Sequence, residues 1–195
     1  MNYNAAKATI LERLEKELSD KLTYHSVRHT LDVLRVAEEL CEYEQVPPRA
    51  TQLVKTAALF HDAGFLHSAE QHEWHSCRIA EDLLPRFGYL EEDVARINRM
   101  ILATRIPQSP RNMLEEILCD ADLDYLGRDD FFPIAGKLFA ELKAYGILND
   151  EQEWNRKQIA FLEQHHFFTA TNLRRRRPKK REHLKQLRIL VAQQS

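Results

Sequence analysis

The chain has 195 residues, 44% of them hydrophobic and 30% charged, enough for a globular protein with a real core and no need of staples. No apolar run reaches membrane-spanning length, and the N-terminus MNYNAAKATI lacks a basic segment followed by an apolar stretch, so a soluble cytoplasmic protein without a signal peptide is expected. The formal charge of −2 hides an asymmetry: the tract RRRRPKKR at 174–181 carries +7, leaving −9 for the rest.

Apolar residues recur at three-and-four spacing throughout, only 5 Gly are present, and no window alternates as a half-buried strand does. An all-α fold of about eight to nine helices is expected. The spacing predicts helices over 5–18 and 26–43, the second with Leu31, Leu34, Val36, Ala37 and Leu40 on its apolar side. Pro47-Pro48 opens a third, whose run Leu53, Ala57, Ala58, Leu59, Phe60 ends at His61-Asp62-Ala63-Gly64, with Gly64 as the helix stop. Further helices are expected over 70–86, 91–104, 113–126, 131–145 and 150–165, with Gly88, Gly127 and Gly146 as punctuation, and a last one over 182–192. With no repeat and no linker other than the basic tract, the expected organisation is one domain over 1–172, with the tract and final helix, 173–195, packed on it or appended.

Three cysteines at wide spacing, Cys41, Cys77 and Cys119, form no CxxC pair and read as reduced core thiols. The chemistry-bearing residues lie elsewhere. His29, the doublet His61-Asp62 and Asp122 each sit in an apolar, helix-periodic segment, where a charge must be paired or coordinate a metal. Leu114, Leu118, Asp122 and Leu126 form one i, i+4 row, which aims Asp122 along the buried stripe, whereas Asp120 and Asp124 align with Glu116 on a wetter one. Taken singly, each residue has a plainer explanation: a packed histidine, or a helix C-cap at His61. Together they supply two imidazoles and two carboxylates, a set suited to one divalent ion.

The segments YHSVRHTLDV, AALFHDAGF and CDADLDYLG resemble the HD superfamily of metal-dependent phosphohydrolases over about residues 20–165. The resemblance implies His29, His61, Asp62 and Asp122 as metal ligands for Mn, Fe, Zn, Ni, Co or Mg. It implies one metal ion rather than two, because the chain has no histidine between His75 and His165 to match the extra ligands of two-metal members. His72-Glu73-Trp74-His75-Ser76 resembles the HExxS stretch of superfamily deoxynucleotide triphosphohydrolases, which implies His72 as the acid that protonates the leaving oxygen and Glu73 as its orienting partner or as base. His25 matches the leading histidine of superfamily phosphodiesterases. Arg28, Lys55, Arg105 and Arg128 adjoin the motif segments as candidates for phosphate contacts, and His25 joins Arg28, Lys55 and Arg105 in the expected substrate-binding set.

The expected function is hydrolysis of a small phosphate ester or anhydride, a nucleotide first among them, by an activated water. The alternative is a regulatory module that keeps the metal or nucleotide pocket without turnover. The basic tract reads as a solvated, mobile linker, with contact to nucleic acid, a polyphosphate or an acidic partner through charge alone as the alternative; its lack of interleaved aromatics gives no support for sequence-specific nucleic-acid binding. Oligomeric state stays open, since the stripe Leu184, Leu187, Leu190, Val191 suits a partner or the chain's own core equally.

Overall fold

A computed structural model describes residues 1–193 and contains, among them, ten α-helices, three short 3-10 turns and no strand. No helix is long and apolar enough to cross a membrane. The chain forms two compact units, one of residues 1–19 and 25–122, the other of 20–24 and 123–195. The basic tract and last helix therefore belong to the same unit as residues 123–172.

The first unit holds α1 (Tyr3–Glu17), α2 (Val27–Tyr43), α3 (Pro48–Phe60), α4 (His72–Leu83), α5 (Glu91–Ala103) and α6 (Met113–Asp122). Local chemistry sets several starts: Asn2 Oδ1 accepts the Ala5 N–H, and Pro48 opens α3, where a missing N–H costs nothing. The centre is α3, which packs on α1, α2, α5 and α6. Its residues 53–54 and 56–60 are all buried, and Ala57 and Ala58 leave no bulk to hold the neighbours away. Ile10, Leu40, Leu53, Phe60, Ile97, Ile101, Ile117 and Leu118 form the surrounding core. Truncating one such Leu or Ile to Ala costs about 2–5 kcal/mol. Cys41, Cys77 and Cys119 are free thiols within this core. Burial pushes Cys41 up to about 11 and Cys77 to about 12, and raises Cys119 further.

The second unit holds α7 (Phe131–Ala144), α8 (Glu151–Gln164), α9 (Ala170–Arg175) and α10 (Arg177–Gln193). Its core joins Tyr24, Leu126, Phe131, Leu162, Phe167 and Leu187. The basic tract is helical, which corrects the expectation of a mobile linker. Arg176 Nε donates to the buried Asp124 at 2.7 Å, and Asn172 Nδ2 donates to the same oxygen at 3.2 Å. Lys180 is buried and donates to the Leu162 carbonyl at 2.9 Å and to the His165 carbonyl, satisfying acceptors that the end of α8 leaves open. Leu184 and Leu187 pack on this unit's own core, while Leu190 is exposed.

Asp124 also corrects the sequence reading of the DADLD segment. Asp120 and Asp124 are 0% and 1% exposed, not wet. The helix ends at Asp122 and a 3-10 turn, Asp124–Gly127, follows, so a row drawn at helical pitch through Leu126 loses its meaning there. α6 packs on α2, α3 and α5, which leaves its Asp120 side no wet face.

Candidate metal centre

All four residues read as ligands stand on the first unit: His29, His61 and Asp122 gather their donor atoms within 4.8 Å of one another, and Asp62 lies beside both imidazoles. His29 comes from the first turns of α2, His61 and Asp62 from the end of α3, and Asp122 from the last residue of α6. His29 Nε2 lies 3.2 Å from Asp122 Oδ1, 3.3 Å from Asp62 Oδ2 and 3.4 Å from His61 Nε2. His61 Nε2 lies 3.2 Å from Asp62 Oδ2 and 3.5 Å from Asp122 Oδ1. The side chains are 9%, 1%, 10% and 15% exposed in the order His29, His61, Asp62, Asp122, so bulk water does little to screen the four.

Two features show that these residues fit a divalent ion. Asp62 Oδ2 is buried and makes no hydrogen bond, although two imidazole nitrogens approach it at 3.2–3.3 Å. A buried carboxylate oxygen without a donor, beside two imidazoles, is what a site that would hold a cation leaves open. The second feature is the outer contact of His61, whose Nδ1–H donates to the Ala58 carbonyl at 2.9 Å and so turns Nε2 inward as the ligating atom. His29, His61 and Asp122 offer donor atoms that all lie within 4.8 Å of one another.

Electrostatics agree with a site for positive charge. Burial works to lower His29, but the Asp122 and Asp62 carboxylates outweigh it and raise it to about 9. Burial opposes the charge on His61 in the same way, and Asp62 and Asp122 carry it well above the usual imidazole range. Against their own desolvation, Asp62 is held well below the usual carboxylate range, chiefly by His61, and Asp122 is held at about 2 by His29 and His61.

Gly64 is not the stop of α3. That helix ends at Phe60, and Gly64 lies inside the 3-10 turn Ala63–Leu66. A methyl group at Gly64 would run into the His72 backbone carbonyl, so glycine is what lets the start of α4 lie directly on the doublet's turn. Ser76 ties the same two segments: its Oγ donates to the His61 carbonyl and accepts the Gly64 N–H. The sequence reading named Ser76 only as the last residue of the HExxS-like stretch and gave it no role; its signal was a small hydroxyl one turn beyond His72.

His72, at the first position of α4, places Nε2 3.5 Å from Asp62 Oδ1 and 3.5 Å from Glu73 Oε1. Its Nδ1–H donates to the Ala69 carbonyl at 3.2 Å, which leaves Nε2 toward the cluster. Glu73 is buried rather than a surface group. Phe65, in the 3-10 turn Ala63–Leu66, stacks on His25 at 4.0 Å between ring centroids and lies 4.4 Å from the His72 ring. The His25 ring stands 6.2 Å from both His29 and His72. His25, His72 and Glu73 therefore border the cluster.

The expected cationic contacts fare differently. Lys55 bonds Glu38 at 2.6 Å and lies over the Tyr3 ring, in a cavity of about 470 Å³ lined by Tyr3, Glu38, Cys41, Thr51 and Gln52 and by no cluster residue. The structure does not bring it to the cluster: its ammonium is engaged by Glu38 and the Tyr3 ring. Arg28 and Arg105 are exposed and make none of the contacts that define the cluster.

Comparison with known proteins agrees with this geometry. A protein of Clostridium beijerinckii described only as uncharacterized is 32% identical over 103 residues, 51% of this chain; the match spans 65% of that relative, just under two thirds of its length. A crystal structure described as a predicted HD superfamily hydrolase from an uncultured Thermotogales bacterium superposes with a TM-score of 0.63 at 22% identity, covering 96% of this chain and 92% of that one. That likeness is one of fold. The HD domain model matches residues 27–126, just over half the chain, and all four clustered ligand candidates fall inside that span. The chain belongs to the HD domain family.

Proposed function

We propose that the protein is a metal-dependent phosphohydrolase that cleaves a small phosphate ester or anhydride, with nucleotides the first substrate class to test. The observation that carries this reading is the gathering of His29 Nε2, His61 Nε2 and Asp122 Oδ1 at 3.2–3.5 Å from one another, with the buried Asp62 Oδ2, which lacks a hydrogen bond, 3.2–3.3 Å from both imidazoles. A bound divalent ion would polarise a phosphoryl oxygen and lower the pKa of an attacking water.

The chain's own groups supply the rest. His72 Nε2 faces Asp62 from the edge of the cluster and is the atom placed to pass a proton to the leaving oxygen; its 23% exposed side chain lets it re-equilibrate with solvent. Glu73, 3.5 Å from that nitrogen, orients the ring. Phe65 stacks on both His25 and His72, fixing their planes and keeping water from that side of the site. Membership of the HD domain family and the fold likeness to a predicted hydrolase support the reading.

The test is elemental analysis of the purified protein, with a phosphate and pyrophosphate release screen over nucleoside tri-, di-, mono- and cyclic phosphates and several added metals. About one ion per chain and release from one substrate class are expected, and Asp122→Ala should abolish both. Turnover that survives Asp122→Ala would remove the proposal.

A further inference from the structure

The fold divides the basic tract into cations that it uses and cations that it leaves outward. Arg176 is held by Asp124, Lys180 by the end of α8, and Lys179 by Asp129 at 2.9 Å and Glu182 at 3.4 Å. Arg174, Arg177, Arg181 and Lys185 are exposed, and among the described residues none has a carboxylate within 4.0 Å. On α10, Arg177, Arg181, Lys185 and Arg188 are spaced four, four and three apart, which puts all four within about 80° of one another around the helix and along about 16 Å of its length. Arg188 bonds Glu163 at 2.6 Å, an exposed pair that competes weakly with other anions. The only acidic residue of α10, Glu182, lies off this stripe. Charge is divided in the same sense over the chain: the second unit has 15 Lys and Arg against 10 Asp and Glu, net +5, and the first has 13 against 20, net −7.

We propose that this stripe binds the phosphodiester backbone of a polynucleotide, reading charge and not sequence. A straight row of like charges suits a linear polyanion, and 16 Å is a length over which one strand of a duplex carries about five phosphates. No Phe, Tyr or Trp occurs between residues 174 and 188, so the row offers neither stacking platforms nor base readout. A lipid surface fits less well. A helix lying in a membrane needs a free apolar face, and on α10 His183 and Leu187 are buried and Leu184 is packed in the unit's own core; Ile189 and Leu190 are exposed only in its last turns.

The test is fluorescence anisotropy of the full-length protein with a labelled duplex of about 20 base pairs and arbitrary sequence, titrated at several salt concentrations. Neutralising three or four phosphates predicts that log K falls with log salt with a slope of about −3, unchanged when the sequence is scrambled. The triple variant Arg177→Gln, Arg181→Gln, Lys185→Gln should weaken binding about tenfold or more at low salt and flatten the slope to about −1. A control losing the same charge elsewhere, Lys16→Gln, Arg86→Gln, Arg156→Gln, should keep the wild-type slope. Equal melting temperatures establish that the variants fold, and the wild-type slope stands without them. The proposal is overturned by no binding at low salt, by equal loss in both triple variants, by binding to phosphatidylserine vesicles but not to the duplex, or by poly-glutamate competing as well as DNA of equal charge. None of these outcomes depends on the hydrolytic reading of the metal centre.

Discussion

Ser76 Oγ donates a 2.6 Å hydrogen bond to the His61 carbonyl and with the same oxygen accepts the Gly64 N–H at 2.8 Å. Helix α4, which carries His72, is thereby clamped to the turn that carries the His61-Asp62 doublet. Ser76→Ala leaves a buried carbonyl and a buried N–H without their partner, at a cost of about 1–3 kcal/mol. The expected result is a lower melting temperature and weaker metal binding, both read from thermal melts with and without added metal; metal affinity equal to wild type would show that the clamp does not position the ligands.

Gly64→Ala puts a methyl group against the His72 carbonyl, and neither backbone can yield cheaply. The cost should reach about 3 kcal/mol, the upper range for overpacking, and should be accompanied by loss of both metal and turnover. A circular-dichroism melt and elemental analysis of the same preparation decide it.

Replacing His72 should separate binding from chemistry. His72→Ala leaves all four ligand candidates in place, so metal content should stay near one ion per chain while turnover falls about 10²–10⁴-fold. Loss of metal in this variant would make His72 a ligand instead of an acid.

Lys180 gives the pH prediction for the second unit. Burial first, and Arg181 next, lower it to about 8 in the folded chain. The unfolded chain keeps its Lys near the usual 10.5, so between about pH 8 and 10.5 the unfolded state binds the extra proton and folding grows more favourable as pH rises. The charged ammonium therefore costs the folded state most below pH 8. The melting temperature of wild type minus that of Lys180→Met should shift in favour of wild type from pH 7.5 to 10, since the neutral amine still donates to the Leu162 carbonyl. A difference flat with pH would mean that Lys180 titrates as an exposed lysine does.

The helices were legible in the sequence because apolar spacing, Pro48 and the acidic first turn at Glu91–Asp93 all point one way. The gathering of His29, His61, Asp62 and Asp122 was legible because charged residues at apolar positions of a helix demand a reason. Two things were hidden. Asp124 looked wet because its partners, Arg176 and Asn172, lie about fifty residues away in sequence and inside a run of charge. The tract looked like a linker for the same reason, although Arg176, Lys180, Leu184 and Leu187, at four-four-three spacing, already trace an inward helical face. Lys55 shows the reverse: it stands on the doublet's helix, six residues before His61, yet its position on that helix faces Glu38 and not the cluster.

The three thiols have a use beyond packing. All of them lie in the first unit and the second contains none, and burial keeps each protonated and slow to react. A maleimide or disulfide reagent therefore modifies the chain only as fast as the first unit opens. Labelling kinetics followed by mass report the opening free energy of the unit that holds the candidate metal centre, with the second unit silent, and no engineered probe is required.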